Sequence, residues 1–330
     1  MTGTVTARVA AKVNVQLAVG GRRPDGFHDL ANVFLAVGLY DEVSATPADT
    51  PRISVSGPYA ERVPLGDSNL AARAATALAT WHGLPAPGVH LHIAKDIPVA
   101  GGMAGGSADA AGALLACDAL WGTRTPREQL LELAAELGSD VPFALLGGAA
   151  LGRGRGERLA PLPVGDTLHW VFALADGGLA TPAVYRECDR LREASGGGAT
   201  VTDLPAPEPS RALLDALGAG DARALGAALT GDTDTAGAAD RTTQATGLPR
   251  CVNELQPAAL SLYPALADTL ATGDAAGALA GLVSGSGPTC AFLVPDVESA
   301  DAVAAALLGS GTCRDVRTAT APAAGATLLG

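Results

Sequence analysis

The stretch Ile97-Pro98-Val99-Ala100-Gly101-Gly102-Met103-Ala104-Gly105-Gly106-Ser107-Ala108-Asp109 holds four glycines and runs straight into an alanine- and leucine-rich segment ending near Trp121. Glycines leave backbone N–H groups unshielded, and a helix start adds unpaired donors and a partial positive charge. That combination suits a phosphate, with the Ser107 hydroxyl able to meet a phosphate oxygen or a Mg²⁺ ion. The bland alternative is a glycine-rich turn that binds nothing. The loop is neither a Walker A sequence nor a Rossmann fingerprint, because the spacing fits neither. The HRD and DFG signatures of protein kinases are absent. Gly152-Arg153-Gly154-Arg155-Gly156 also fails the Rossmann spacing and reads as a tight turn carrying two arginines.

Phosphoryl transfer to an alcohol needs clamped phosphates, a metal and a carboxylate that accepts the alcohol proton. Asp140, in Gly138-Ser139-Asp140-Val141-Pro142, is a candidate for that carboxylate and equally a helix N-cap. Lys12 lies mid-strand between apolar neighbours. It reads either as part of a solvated strand face or as an ammonium that stabilises the base or the moving phosphoryl. It is one of only two lysines, with Lys95, among 22 cations. Where arginine is used so widely, a remaining lysine is a candidate for a place that a guanidinium does not fit. Lys95 reads as a solvated strand end or as a group facing the nucleotide. His28 reads as a structural loop histidine or as a partner for a heterocycle. His90 and His92 share a strand face without acidic or cysteine partners and read as solvated. Asp109, in the first turn of its helix, reads as a dipole partner.

The elements that must carry these residues follow from periodicity. Val5 to Ala11 and Val13 to Val19 read as strands, followed by the turn cluster 20–26 and an apolar run over 32–39. Residues 69–81 have helical period, and 89–93 alternate strictly. Thr125-Pro126-Arg127-Glu128 reads as a capping box opening a helix that stops at Gly138. Trp170 to Ala175 and Cys290 to Val294 read as strands, and 301–308 as a helix. Residues 192–210 and 230–248 lack periodicity and read as loops.

Composition bounds the class. The chain has 330 residues and a formal net charge of −12, with 48% apolar content. That length predicts one large or two medium domains. An acidic chain is a poor general nucleic-acid binder. Five scattered cysteines form no CxxC pair, which argues against a zinc site or a disulfide framework and suits a reducing cytosol. The N-terminus lacks a signal-peptide core, and no apolar run reaches a membrane span, so a soluble cytoplasmic protein with no membrane partner is expected.

Taken in order, these stretches resemble the 4-diphosphocytidyl-2-C-methyl-D-erythritol kinase family of the GHMP small-molecule kinases. The N-terminal signature is carried by Lys12-Val13-Asn14, Gly21-Arg22-Arg23-Pro24-Asp25-Gly26-Phe27-His28 and Leu39-Tyr40-Asp41-Glu42. The glycine loop, Gly138 to Phe143, Thr181 to Tyr185 and the terminal Ser284-Gly285-Ser286-Gly287-Pro288-Thr289 also match. The loop alone points to the superfamily; Arg22 to His28 narrows it to this member. The resemblance implies an α+β, two-domain GHMP kinase fold. The N-terminal domain, 1–160, would bind ATP and resemble ribosomal protein S5 domain 2. The C-terminal domain, 161–330, would be ferredoxin-like.

The resemblance further implies ATP- and Mg²⁺-dependent phosphorylation of the cytidine-diphosphate-linked methylerythritol at its 2-hydroxyl, in non-mevalonate isoprenoid synthesis, by a monomer or weak homodimer. By position, Asp140 would be the base and Lys12 its electrostatic partner. Residues 98–108 would cradle the ATP phosphates, with Ser107 as a Mg²⁺ contact. His28 would bond the cytosine edge, and Phe27 and Tyr185 would sandwich the cytosine ring, with Asn14 and Thr181 among the substrate contacts. Ala104 and Ala108 stand where the family usually has a glycine and a second serine, and Phe27 where it has a tyrosine. Two alternatives remain: another GHMP kinase, such as a homoserine kinase, and a non-catalytic nucleotide-binding regulator.

Overall fold

A computed structural model describes residues 3–84, 88–195, 204, 206–231 and 252–330. Of the loops expected over 192–210 and 230–248, residues 196–203, 205 and 232–248 lie outside the described residues. Residues 192–194, however, are helical, and Ser210 caps the next helix through a bond from Leu213 N.

The chain opens with two long antiparallel strands, β1 (Val5–Arg22) and β2 (His28–Pro47). Two separate strands were expected over 5–19. A register shift between Ala10 and Ala11 lets one ladder bend without breaking. A second shift between Asn14 and Gln16 brackets the segment that carries Lys12 and Asn14. β1 is buried almost throughout, which is why its sequence runs apolar on both faces instead of alternating.

β3 (Arg52–Ser56) pairs parallel with β4 (Val89–Ala94), and α1 (Leu70–Trp81) forms the crossover. Asn69 caps α1 by accepting from the N–H groups of Ala71 and Ala72. β2 forks the sheet, pairing with β4 over 42–47 and with β5 (Ala149–Gly154) over 30–35. β6 (Arg158–Leu162) closes a hairpin with β5, so the Gly152–Gly156 arginine turn is formed there. His90 and His92 bond the Ser54 hydroxyl on the neighbouring strand. Among the described residues no cluster of three metal-ligating side chains occurs.

Against this sheet packs α2 (Gly105–Trp121), buried along nearly its whole length. A Cβ at Gly112 would lie 2.8 Å from Val43, so glycine lets helix and sheet approach closely. α3 (Arg127–Leu137) and α4 (Val141–Leu146) follow. The expected capping box does not form. Asp118 accepts from both the N–H and the hydroxyl of Thr125, and Pro126 becomes the N-cap with no side-chain bond.

The second half of the chain runs β7 (Leu168–Leu174), α5 (Thr181–Ala194), α6 (Arg211–Ala219), α7 (Ala222–Thr230), α8 (Gln256–Leu262), α9 (Leu266–Ala275), β8 (Ala280–Val283), β9 (Cys290–Val294), α10 (Val297–Ser310) and β10 (Asp315–Ala321). Its four strands form a second sheet of order β10-β7-β9-β8, all antiparallel. Strand, helices, hairpin, helix, strand in this spatial order is the split βαβ arrangement of a ferredoxin-like domain. The last strand, β11 (Thr327–Leu329), returns to pair with β1. Among the described residues no helix is long and apolar enough to cross a membrane.

Candidate active site

Where β1, the glycine loop and the loop after β8 meet, a cavity of about 800 Å³ opens. Lys12, Asn14, Asp140, His28 and Tyr185 all line it, with much of the glycine loop. Lys12 is 6% exposed, which rules out the solvated-face reading. Its Nζ donates to Asn14 Oδ1 at 2.5 Å and to the Gly102 carbonyl at 3.0 Å. Asn14 Nδ2 in turn donates to Asn32 Oδ1 at 2.7 Å. That chain fixes the amide, and the amide fixes the ammonium. Lys12 Nζ also stands 3.7 Å from Asp140 Oδ2, an ion pair longer than a hydrogen bond. Burial pulls the Lys12 pKa below its ordinary value, and the negative charge of Asp140 opposes that shift.

Asp140 occupies the N-cap position of α4, but its side chain makes no capping bond. The capping role that the sequence allowed is therefore empty, and the carboxylate faces the cavity and Lys12 instead.

The glycine loop is built as a cradle. α2 starts at Gly105 with no side-chain cap, leaving its first N–H groups available to a ligand. A Cβ at Gly102 would come within 2.2 Å of the Ser284 carbonyl, so only glycine fits between the two loops. The second loop is anchored by Asn253, whose Nδ2 donates to the carbonyls of Val283 and Gly285 at 2.6 and 2.7 Å. Pro98, Ala100, Ala104 and Ser107 line the cavity, but Val99, Met103 and Ala108 do not. Met103 and Ala108 are core residues, and Val99 packs against that core. A serine at 108 would therefore meet apolar neighbours, and its absence costs the cavity no side chain.

Ala104 adopts φ 59, the left-handed region, and so does Ala100 at φ 57. An L-side chain there is strained by about 1–2 kcal/mol, less the entropy a glycine loses on folding. Ala104→Gly should accordingly raise unfolding stability by about 0.5–1 kcal/mol. A urea midpoint that stays put or falls would show that the loop tolerates the methyl without strain.

Beneath the loop sits the second lysine. Lys95 is 1% exposed and donates to Asp41 at 2.6 Å and Asp109 at 2.7 Å. Neither a solvated strand end nor a dipole partner describes this buried triad. Burial pushes the Asp109 carboxyl up to about 7; Lys95 opposes the shift and Asp41 reinforces it. A Cβ at Gly105 would lie 2.9 Å from Lys95 Nζ, so the triad directly underlies the start of α2.

Phe27, His28 and Tyr185 also line the cavity. Tyr185 stacks on His28, with centroids 5.1 Å apart and planes 23° from parallel. Phe27 is 50% exposed and carries the Arg155 guanidinium 5.0 Å from its centroid. His28 is buried, and its Nε2 lies 2.9 Å from Asp189 Oδ1. Thr181 bonds the Ser286 hydroxyl at 2.9 Å. No motif in the sequence marks Asp189, Asn32 or Asn253 as a site residue, and Arg155 stands out there only as part of a tight turn. Asp189 was findable, since it stands four residues after Tyr185 on one helix and so shares its face. Asn253 gave no local signal, because its role depends on a loop thirty residues away.

This fold, with a helix N-terminus and an ammonium–carboxylate pair opening on one cavity, defines a small-molecule kinase of the GHMP class. Residues 69–148 match the family model described as "GHMP kinases N terminal domain", and residues 213–311 match "GHMP kinases C terminal". A relative from Streptomyces avermitilis named 4-diphosphocytidyl-2-C-methyl-D-erythritol kinase is 66% identical over 326 residues, covering 99% of this chain and 100% of the relative. One from Thermobifida fusca with the same name is 56% identical, covering 99% and 98%. A crystal structure of 4-(cytidine 5'-diphospho)-2C-methyl-D-erythritol kinase superposes with a TM-score of 0.70 at 31% identity, covering 96% of this chain and 99% of that one. A homoserine kinase from Cytophaga hutchinsonii shares the fold at a TM-score of 0.69 and 20% identity, covering 100% and 98%. The chain belongs to the 4-diphosphocytidyl-2-C-methyl-D-erythritol kinase family.

Proposed function

We propose that the chain transfers the γ-phosphoryl group of ATP to the 2-hydroxyl of 4-diphosphocytidyl-2-C-methyl-D-erythritol, releasing ADP and the 2-phosphate. It thereby serves non-mevalonate isoprenoid synthesis. The observation that carries the reading is the Lys12–Asp140 pair opening on the same cavity as the start of α2 and the His28–Tyr185 stack.

In this reading Asp140 orients the 2-hydroxyl and accepts its proton as the new P–O bond forms. The Lys12 ammonium steadies the carboxylate and the negative charge of the moving phosphoryl. The N–H groups of the glycine loop and of the start of α2 bind the phosphates of ATP. Asn14 holds Lys12 and, with Thr181, borders the substrate. Mg²⁺ fits the donor set in a limited way: Ser107 and Asp140 border the cavity, and no cluster of acidic ligands exists among the described residues. A Mg²⁺ ion would be held mainly by ATP oxygens with the Ser107 hydroxyl, and it would neutralise phosphate charge. Residues 1–160 act as the ATP-binding domain and 161–330 as its partner, with β11 returning to the first sheet. The chain works in the cytoplasm as a monomer or weak homodimer, without nucleic-acid or membrane partners.

Incubation with Mg-ATP and either the cytidylated methylerythritol or homoserine, with ADP release followed, tests this. Turnover with homoserine alone would overturn it, and no turnover with any alcohol would favour a nucleotide-binding regulator. His28→Ala should raise KM for the cytidylated substrate by about tenfold or more and leave KM for ATP nearly unchanged. Equal effects on both would remove His28 from nucleobase recognition.

A further inference from the structure

We propose that Asp189 is a positioning residue that fixes the tautomer of His28 and so makes the cavity choose cytosine over uracil. The inference rests on the cytidine-bearing substrate of the proposed function. The two nitrogens of a neutral imidazole differ: one is an N–H donor, the other a lone-pair acceptor. An ionised carboxylate can only accept. At 2.9 Å from Asp189 Oδ1, His28 Nε2 therefore carries the proton and donates it into that bond. Nδ1 is left as an acceptor. It makes no hydrogen bond among the described residues, and His28 lines the cavity.

The surroundings hold this arrangement in place. Tyr185 stacks on the imidazole and fixes its plane. Tyr185 and Asp189 lie one turn apart on α5, so a single rigid element supplies both constraints. α5 is tied to β1 by Arg192, whose Nη2 donates to the Val19 carbonyl at 2.7 Å and to Glu254 at 2.8 Å. Asp189 is 18% exposed at its side chain, so water competes weakly for its oxygen.

Cytosine and uracil differ at two neighbouring positions of this edge: N3 is a lone-pair acceptor in cytosine and an N–H donor in uracil, and position 4 differs in the opposite sense. Cytosine carries an amino donor at N4, where uracil carries a carbonyl acceptor. With Nδ1 set against position 4, as the proposal has it, this acceptor bonds the amino group of cytosine and opposes the carbonyl of uracil lone pair to lone pair. Selectivity for the base thus comes from a carboxylate that never touches it. The same logic orders the ring nitrogens of metal-binding histidines, where an outer partner sets which nitrogen is free.

The test compares kcat/KM for cytidine- and uridine-diphosphate-linked methylerythritol in the parent and in Asp189→Asn. Asparagine can present either an acceptor or a donor to Nε2, so the tautomer lock is released while the shape is kept. The parent should prefer the cytidylated substrate by tenfold or more, and Asp189→Asn should lower that preference at least fivefold, mainly through KM. KM for ATP should stay within twofold. A variant that keeps the parental preference within twofold overturns the proposal and leaves the proposed function standing. Nitrogen-15 NMR of His28 gives a second, substrate-free readout. A neutral ring protonated at Nε2 is expected, and a ring protonated at Nδ1 overturns the proposal whichever substrates turn over. Failure of the parent to use either methylerythritol nucleotide defeats the proposed function alone, and the NMR result still decides the tautomer.

Discussion

Asp140→Asn lowers kcat for the cytidylated substrate by roughly 10²–10⁴, with KM for ATP changed little. The substitution is chosen to separate two roles. Asparagine is as good an N-cap as aspartate, so a residue that only opened α4 would lose nothing. The side chain of Asp140 makes no cap bond, and its carboxylate stands instead 3.7 Å from the Lys12 ammonium. What asparagine removes is the negative charge and the ability to take a proton. A loose, metaphosphate-like transition state needs little deprotonation, so the lower end of the range corresponds to orientation and the upper end to true base catalysis. The same change strips Lys12 of the charge that holds its pKa up, leaving burial unopposed. The variant's residual activity should therefore decline at lower pH on its basic side than the parent's. Activity within threefold of the parent, measured under saturating substrate, would reduce Asp140 to a structural residue.

The glycine loop was legible in the sequence, because a phosphate cradle is local: its N–H groups, its glycines and the helix that follows are contiguous in the chain. The strict alternation at 89–93 was legible for the same reason. The capping box was misread because a distant acceptor, Asp118 on α2, outcompeted the local one. Lys95 and Asp109 were misread because their partner Asp41 comes from a strand more than fifty residues away in sequence. No periodicity records such a meeting. Lys12 needed both kinds of information: the sequence marked it as one of two lysines, and the fold supplied Asn14, Gly102 and Asp140 around it. The resemblance puts the rings of Phe27 and Tyr185 on either side of a cytosine, whereas the stacking of Tyr185 on His28 was not legible, because β2 and α5 carry the two rings.

That crowding around Lys12 determines the second large effect. Lys12→Arg keeps a positive charge and should still lower kcat by about tenfold or more, whereas Lys12→Met should lose roughly 10²–10³. The ammonium is a compact donor held by Asn14 Oδ1 and the Gly102 carbonyl, with the Phe34 ring centroid 5.9 Å away. A Cβ at Gly285 would already lie 3.3 Å from Nζ, so the opposite loop leaves no slot for a planar fork. A guanidinium must displace the Gly102–Ser284 contact, where Ser284 Oγ donates to the Gly102 carbonyl at 3.1 Å, or withdraw from Asp140. Either movement disturbs the phosphate loop or the base. The pH profile separates a charge effect from a fit effect. Because burial lowers the Lys12 pKa, the parent should lose kcat/KM as pH rises through a value below 10.5, where the ammonium gives up its proton. Arginine stays charged across that range, so the variant's lower activity should show no such fall. An arginine variant with near-parental kcat would mean that charge alone, and not the compact ammonium held by Asn14 and Gly102, is what the site requires of Lys12.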